Sequence, residues 1–170
     1  MQEIKEIGQD INQLVARLAE QLSSQKKMLI TAESCTGGMI GASCTQLAGS
    51  SAWFFGGLVS YDNLAKERML SVDSKSLMRF GAVSPEVVEQ MCAGALNYGA
   101  DISVAVSGVA GPGGGSEEKP VGTVYIGWLT SAQASQGLTA KVQRFQFQGD
   151  RDAVRELTLV NAMQGILDLK

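Results

Sequence analysis

The chain has 170 residues, of which 45% are hydrophobic, so it is long enough for one domain over residues 1–170 and too short for two. The net charge is −3, and no basic block or basic-aromatic alternation supports nucleic-acid binding. The N-terminus lacks both a signal-peptide pattern and a bilayer-spanning apolar run, so we expect a cytoplasmic protein without a membrane partner.

The sequence contains no histidine, which excludes Ser-His-Asp and Cys-His triads, His-ligated zinc and an imidazole base. Lysine, tyrosine and carboxylates remain as bases, with serine, threonine or cysteine as nucleophiles. The 3 cysteines form no CxxC pair and are expected to be reduced. Cys35 is either a nucleophile or a small buried side chain, and the lack of an activating neighbour favours the buried one.

The first predicted element is an amphipathic helix that begins near Ile4. Its apolar residues recur every three or four positions as far as Leu22, with charged and polar residues between them. This stripe favours packing in the core, and a partner-binding face is the alternative.

A strand-to-helix turn follows at residues 31–38, Thr-Ala-Glu-Ser-Cys-Thr-Gly-Gly. It places Ser34 and Thr36 at the carboxyl end of a strand, where the free N–H groups of the next helix favour an anion. Gly37 and Gly38 allow a ligand to approach the backbone closely. The alternative is an ordinary turn with Ser34 as a helix cap.

Residues 53–61 predict a strand, whose glycine pair at 56–57 indicates a bulge or a close backbone contact. Asp62 or Asn63 then caps a short helix with Lys66 in its first turn, where the helix dipole does not favour a cation. The position of Lys66 is therefore a first indication of a functional role.

Two further helices are predicted before the next strand. The first is short, lies between Val72 and Phe80, and is closed by Gly81. The second opens with Ser84 as its N-cap and Pro85 at its first position.

A strand predicted at residues 101–107 runs into a loop at 108–116 that contains five glycines. Successive free N–H groups in such a loop form a concave site for a phosphate or an oxyanion. The spacing matches neither GxGxxG nor GxxxxGK[ST], so it indicates neither a dinucleotide nor an NTP. A merely flexible loop is the alternative.

Strands at 121–129 and 138–147, with a polar turn around 131–133, predict a hairpin and hence an antiparallel part of the sheet. The element order predicts an α/β fold, a three-layer α/β/α sandwich around a mixed, mostly parallel sheet.

A closing helix begins after Asp150 and carries Arg151 and Arg155 on one face. The two arginines form either a solvated charged pair or, for Arg151 at the helix start, a contact to a substrate anion.

Several of these segments together resemble the C-terminal domain of the CinA (competence/damage-inducible) proteins, whose stand-alone members include bacterial nicotinamide mononucleotide deamidases. The resemblance spans nearly the whole chain, and so many spaced motifs in one order are hard to obtain by chance. They are Thr-Ala-Glu-Ser-Cys-Thr-Gly-Gly at 31–38, Trp-Phe at 53–54, residues 57–63 with Lys66, Gly-Ala-Val-Ser at 81–84, Ser-Gly-Val-Ala-Gly-Pro-Gly-Gly at 107–114, Lys-Pro-Val-Gly-Thr at 119–123 and Gly-Asp-Arg at 149–151.

The resemblance implies an amidohydrolase that converts nicotinamide mononucleotide to nicotinic acid mononucleotide and ammonia, without a metal or other cofactor. It implies Ser34 as the nucleophile, with Tyr61 and Lys66 as its proton-handling partners. Because an ordinary lysine is almost fully protonated at neutral pH, this role for Lys66 requires burial or a neighbouring cation to lower its pKa. Arg151 either supplies that cation or binds the nucleotide phosphate.

The implied reaction begins with attack of Ser34 on the carboxamide carbon. N–H groups of the 34–38 turn or of the glycine loop hold the oxyanion, ammonia leaves, and water hydrolyses the acyl-enzyme. The residues implied to line the substrate pocket are Thr36, Gly37, Gly38, Asn63, Ser107, Ala110, Gly111, Pro112, Gly113 and Arg151.

The sequence departs from the family pattern at Ser60 and Ser107, where threonine is usual, and at Asp62, where serine is common. Two other hypotheses stay open: a non-catalytic subunit that binds a nucleotide or a partner, and a Ser-Lys amidase for another small amide. The long first helix and exposed aromatic residues such as Trp53 favour a homodimer.

Overall fold

A computed structural model describes the backbone of residues 2–169 and the side chains of residues 11–169. Helices and strands alternate over most of the chain, as the sequence predicts. In order, the elements are α1 Gln2–Gln25, β1 Leu29–Glu33, α2 Met39–Thr45, β2 Phe54–Val59, α3 Asn63–Leu70, α4 Ser74–Phe80, α5 Pro85–Leu96, β3 Ile102–Gly108, β4 Thr123–Thr130, α6 Ser131–Ser135, β5 Lys141–Gln146 and α7 Arg151–Leu167.

Within residues 2–169, five strands form one mixed sheet in the order β2-β1-β3-β4-β5. β1 pairs in parallel with β2 and β3, whereas β4 pairs antiparallel with β3 and β5. β4 is antiparallel to the other four strands, so two of the four strand pairings in the sheet are antiparallel. This confirms the predicted mixed sheet, in which most strands point the same way. The carboxyl ends of β1, β2 and β3 therefore meet at one edge, where open α/β sheets bind their ligands.

Helices cover both faces of the sheet, which confirms the three-layer architecture. α1, α2 and α7 pack on one face, and Leu18, Ile40 and Met163 are buried there. α3, α4 and α5 pack on the other face around Val88 and Met91. Each large apolar side chain that is completely buried stabilises the folded state by about 1.5–3 kcal/mol.

The described part of the α1 stripe lies in this core, as predicted, with Leu14, Leu18 and Leu22 buried. The first positions of the predicted stripe, Ile4 and Ile7, lie outside the residues whose side chains are described. No helix among the described residues is long and apolar enough to cross a membrane.

β1 is longer than the sequence indicates, and this moves the start of the turn. Thr31, Ala32 and Glu33 belong to the strand because their backbone pairs with β2 on one side and β3 on the other. The turn therefore begins at Ser34. α2 has Gly38 as its N-cap, so the alternative with Ser34 as the helix cap is wrong.

The glycine pair in β2 marks a bulge, as predicted. The register shifts there, so that Leu29 pairs with Phe54 but the next residue, Ile30, pairs with Gly56. A Cβ on Gly57 would lie 2.8 Å from Thr31 Oγ1, so this position also has the expected close contact.

Two local expectations are wrong. The first is the polar turn predicted around residues 131–133. β4 and β5 do pair as a hairpin, but the connection spans residues 131–140 and includes α6, because Thr130 and Gln133 form a capping box that starts a helix. Trp53 is only 1% exposed, so it does not support the expected homodimer. The exposed aromatic side chains nearby are those of Phe55 and Tyr61.

Candidate active site

Ser34 and Lys66 meet at the carboxyl edge of the sheet. Lys66 Nζ donates to Ser34 Oγ at 3.0 Å, to the carbonyl oxygen of Ser60 at 2.8 Å and to that of Tyr61 at 2.9 Å. Parallel pairing of β1 with β2 places the ends of these strands side by side, and Asp62 then caps α3 so that Lys66 turns back over Ser34. The fold thus brings together two of the three residues implied to carry the chemistry.

Lys66 is almost completely buried, with 1% of its surface exposed. Burial lowers the pKa of its ammonium group below the ordinary value, while the Asp62 carboxylate and the Cys35 thiol act in the opposite direction. The main cause is therefore desolvation, and Arg151 is not among the groups that shift this pKa, which leaves phosphate binding as the alternative for Arg151. A lowered pKa increases the fraction of neutral amine that can accept a proton at neutral pH.

The three oxygens around Lys66 Nζ also restrict how a neutral amine can be oriented. The carbonyl oxygens of Ser60 and Tyr61 only accept hydrogen bonds, so they take both hydrogens of the neutral amine. The remaining lone pair then faces Ser34 Oγ, whose hydroxyl can donate to it. This arrangement can deprotonate a serine hydroxyl without a histidine.

Tyr61 contacts this pair through its backbone. Its side chain is 59% exposed, and its hydroxyl accepts a hydrogen bond from Arg151 Nη2 at 3.2 Å. Arg151 Nη1 donates to the carbonyl oxygen of Gly111 at 2.8 Å. Arg151 therefore joins the start of α7 to the glycine loop and to Tyr61, at the rim of the site.

Glu33 is a functional candidate that the sequence reasoning missed. It is completely buried beside Ser34, and its carboxylate accepts five hydrogen bonds. Oε1 accepts from Thr31 Oγ1 at 3.0 Å and from Gly41 N at 2.8 Å. Oε2 accepts from Thr36 Oγ1 at 2.7 Å, from Gly38 N at 3.0 Å and from Ile40 N at 3.1 Å. An acidic residue inside an otherwise buried strand was the signal for it.

The position of Glu33 corrects one expectation about the turn. The first N–H groups of α2 were expected to receive a ligand anion, but the Glu33 carboxylate occupies them. Within the turn, the N–H of Ser34 donates to Val106. The N–H groups of Cys35 and Thr36 donate to no other described residue, and the Cys35 N–H contacts only its own thiol. These two donors are the ones in the turn that are left for an oxyanion.

Thr36 and Arg155 hold the turn in place. Thr36 is buried, its hydroxyl donates to Glu33, and its carbonyl oxygen accepts from Arg155 Nη2 at 3.0 Å. Arg155 also contacts Asp152 at 3.5 Å. The interpretation of Arg151 and Arg155 as a solvated pair is therefore wrong, because each guanidinium donates to a backbone carbonyl of a different site segment.

Cys35 fits the buried alternative. Only 4% of its surface is exposed, and burial raises the pKa of its thiol to about 11. The thiol therefore stays protonated at neutral pH, where a thiolate would be needed for nucleophilic attack.

The glycine loop has an anchored backbone with free donors. Val109 N donates to Thr123 and Gly122 N donates back to Val109, which fixes the base of the loop. A Cβ on Gly111 would lie 2.5 Å from Val121 Cγ1, so only glycine fits there. The N–H groups without an acceptor among the described residues belong to Ala110, Gly111, Gly113, Gly114 and Gly115.

The other predicted pocket residues take different positions. Ser107 is buried, and its hydroxyl donates to the carbonyl oxygen of Ala82 at 2.7 Å, so it ties β3 to the segment before α5. Asn63, Gly37, Pro112 and Gly113 are exposed. Among the described residues, no three His, Cys, Asp or Glu side chains are grouped closely enough to bind a metal.

Comparisons with known proteins agree with this architecture. Residues 11–170 match the CinA C-terminal domain. The chain is 48% identical over 160 residues to the nicotinamide-nucleotide amidohydrolase PncC of Pseudomonas putida, covering 94% of this chain and 96% of that protein. A CinA-like protein of Citrifermentans bemidjiense is 48% identical over 92% of this chain, which spans 36% of that protein.

A solved structure gives the same result. The competence/damage inducible protein CihA from Agrobacterium tumefaciens superposes with a TM-score of 0.85 at 39% identity, covering 93% of this chain and 94% of that one. The sequence motifs, the fold and the matches to known proteins therefore agree, and the chain belongs to the CinA C-terminal domain family.

Proposed function

We propose that this chain is a nicotinamide-nucleotide amidohydrolase, which hydrolyses nicotinamide mononucleotide to nicotinic acid mononucleotide and ammonia. A relative that matches almost the full length of the chain bears this activity in its name. In this molecule, the observation that carries the proposal is the buried contact between Ser34 Oγ and Lys66 Nζ.

In the first step, Ser34 Oγ attacks the carboxamide carbon while its proton passes to the neutral amine of Lys66. The orientation of that amine by the carbonyl oxygens of Ser60 and Tyr61 supports this assignment. The carbonyl oxygen of the substrate becomes an oxyanion. The N–H groups of Cys35 and Thr36, which directly follow Ser34 in the sequence, donate to this oxyanion. The N–H groups of the glycine loop are the alternative donors.

In the second step, the bond between carbon and nitrogen breaks. Lys66, now an ammonium group, returns its proton to the departing nitrogen, so that ammonia leaves and the acyl group stays on Ser34. Water then attacks the acyl-enzyme with Lys66 again as the base, which releases nicotinic acid mononucleotide and restores the serine hydroxyl.

We assign the phosphate of the substrate to the rim formed by Arg151 and the glycine loop. Arg151 is a permanent cation, and the loop offers several unpaired N–H groups beside it. The proton-handling role implied for Tyr61 stays a prediction. Since its hydroxyl bonds to Arg151, it would act on bound substrate rather than directly on Lys66.

Release of ammonia from nicotinamide mononucleotide by the purified chain tests the proposal, with Ser34→Ala as the matched variant and a chelator in a parallel sample. Turnover that survives the chelator and is lost in the variant is the expected result. Nucleotide binding without turnover would instead establish a non-catalytic subunit. Equal rates on amides without the ribose phosphate would establish a general Ser-Lys amidase.

A further inference from the structure

The carboxylate of Glu33 joins the two sides of the Ser34 turn. One donor, Thr31, precedes Glu33 on β1, whereas the donors Thr36, Gly38, Ile40 and Gly41 follow Ser34. An ionised carboxylate only accepts hydrogen bonds, so a single side chain can satisfy donors from all of these directions. An amide cannot, because its NH2 group would face other donors.

The backbone of Glu33 is fixed as firmly as its side chain. It pairs with Val59 in β2 and with Val106 in β3, and its carbonyl oxygen accepts from Ser60 N at 2.8 Å. The backbone of Glu33 therefore defines where the turn starts, and its carboxylate defines where Thr36 lies. Ser34 is held between these two fixed points.

We propose that Glu33 is a positioning residue for Ser34. It keeps the 34–38 turn in the conformation that directs Ser34 Oγ to Lys66 Nζ and leaves the N–H groups of Cys35 and Thr36 free. This inference rests on the proposed serine mechanism. Its competitor is a purely structural role, in which Glu33 stabilises the start of α2 without affecting the reaction geometry.

Two threonines offer a matched pair for testing this inference. Thr31 and Thr36 are both completely buried, and each donates its hydroxyl to a different oxygen of the same carboxylate. Thr31 holds Glu33 from the strand, whereas Thr36 is itself part of the turn. Replacing either with valine removes one hydroxyl donor while almost preserving the side-chain shape, so the loss of folding stability should be similar.

The test compares steady-state turnover of nicotinamide mononucleotide by Thr36→Val, Thr31→Val and Thr36→Ser, with thermal unfolding of each. We expect Thr36→Val to lower kcat by about 30-fold at unchanged KM, because small misplacements of a nucleophile have large effects on rate. Thr36→Ser, which keeps the hydroxyl, should recover kcat to within about threefold, and Thr31→Val should stay within about threefold. Equal losses of kcat in both valine variants, or a rise in KM alone for Thr36→Val, would overturn the inference.

Glu33→Gln and Ser34→Ala separate this inference from the proposed function. We expect Glu33→Gln to lower kcat by about 100-fold. If folded Glu33→Gln keeps wild-type kcat while Ser34→Ala is inactive, the positioning role is wrong and the serine mechanism stands. Full turnover by Ser34→Ala would remove both. If Glu33→Gln does not fold, the threonine pair decides the question.

Discussion

Arg151 Nη2 donates to the hydroxyl of Tyr61 at 3.2 Å, and this contact joins residues that are 90 positions apart in the chain. The same guanidinium donates to Gly111, so one side chain connects the end of β2, the glycine loop and the start of α7. The cation thus stands at the rim, while Lys66 is buried beside Ser34. The site separates a permanent charge suited to phosphate from an amine suited to proton transfer.

Replacing Arg151 with glutamine should mainly weaken substrate binding. Charge-assisted hydrogen bonds contribute about 1.5–3 kcal/mol, so we expect KM for nicotinamide mononucleotide to rise about 10- to 100-fold. KM for the unphosphorylated nucleoside should rise much less. Arg17→Gln, which removes an exposed guanidinium on α1, is the control. A fall in kcat at constant KM would contradict the phosphate assignment.

The rate should depend on pH through Lys66. Because burial lowers the pKa of this group, kcat/KM should rise with pH and level off below the ordinary lysine value of about 10.4. Steady-state rates measured between pH 5 and pH 10 check this. Lys66→Arg should be inactive at every pH, since guanidinium stays protonated. A flat profile, or activity in that variant, would refute a base role for Lys66.

Lys66 should also affect stability, and the sign follows from its lowered pKa. Between the folded and unfolded pKa values, the unfolded chain binds one more proton, so the free energy of unfolding rises with pH through that window. Lys66→Met lacks this dependence. The stability of the wild type relative to Lys66→Met should therefore increase as pH rises toward about 10.4, as denaturant unfolding can show. A constant difference would mean that the pKa is not lowered.

Cys35 should be dispensable for the reaction. Its thiol is buried and protonated at neutral pH, so Cys35→Ala should keep kcat within about threefold. The smaller side chain should lower the folding stability slightly, because it packs less well. Iodoacetamide should also leave the native enzyme active at pH 7. Loss of turnover in a stable Cys35→Ala protein would point to cysteine chemistry instead of Ser34.

The glycine loop allows a paired test of backbone constraint. Gly111 has φ +86° and would place a Cβ 2.5 Å from Val121, whereas Gly113 has open space around it. Gly111→Ala should destabilise the fold by about 2 kcal/mol or more, and Gly113→Ala should change it by less than about 0.5 kcal/mol. Thermal unfolding gives both values. Equal shifts in Tm would mean that the loop adapts freely.

Local signals in the sequence were sufficient for most elements. Asp62, Ser84 and Asp150 each cap the helix that their chemistry indicates, since an N-cap depends on residues within one turn. The motifs also brought Ser34 and Lys66 into one site. That contact spans 32 positions, so it followed from the family resemblance and not from spacing alone.

Contacts that form only in the folded chain account for most of what the sequence did not reveal. The role of Glu33 depends on N–H groups that point at it only after α2 has formed, and Arg155 reaches Thr36 across 119 positions. Trp53 was expected at the surface, but its side chain is buried, and the residues beside it in the sequence do not show which layer covers it. Burial in such cases is a property of the assembled sheet.

The last helix supplies both arginines of the site, while the first strand leads into Ser34. During translation, the nascent chain must therefore extend beyond residue 155 before the nucleophile's turn and the glycine loop acquire all their anchors. A ribosome-bound fragment that ends earlier would contain Ser34 and Lys66 without the guanidinium contacts that complete their surroundings. In this fold, the surroundings of Ser34 are complete only once α7 has docked against α1.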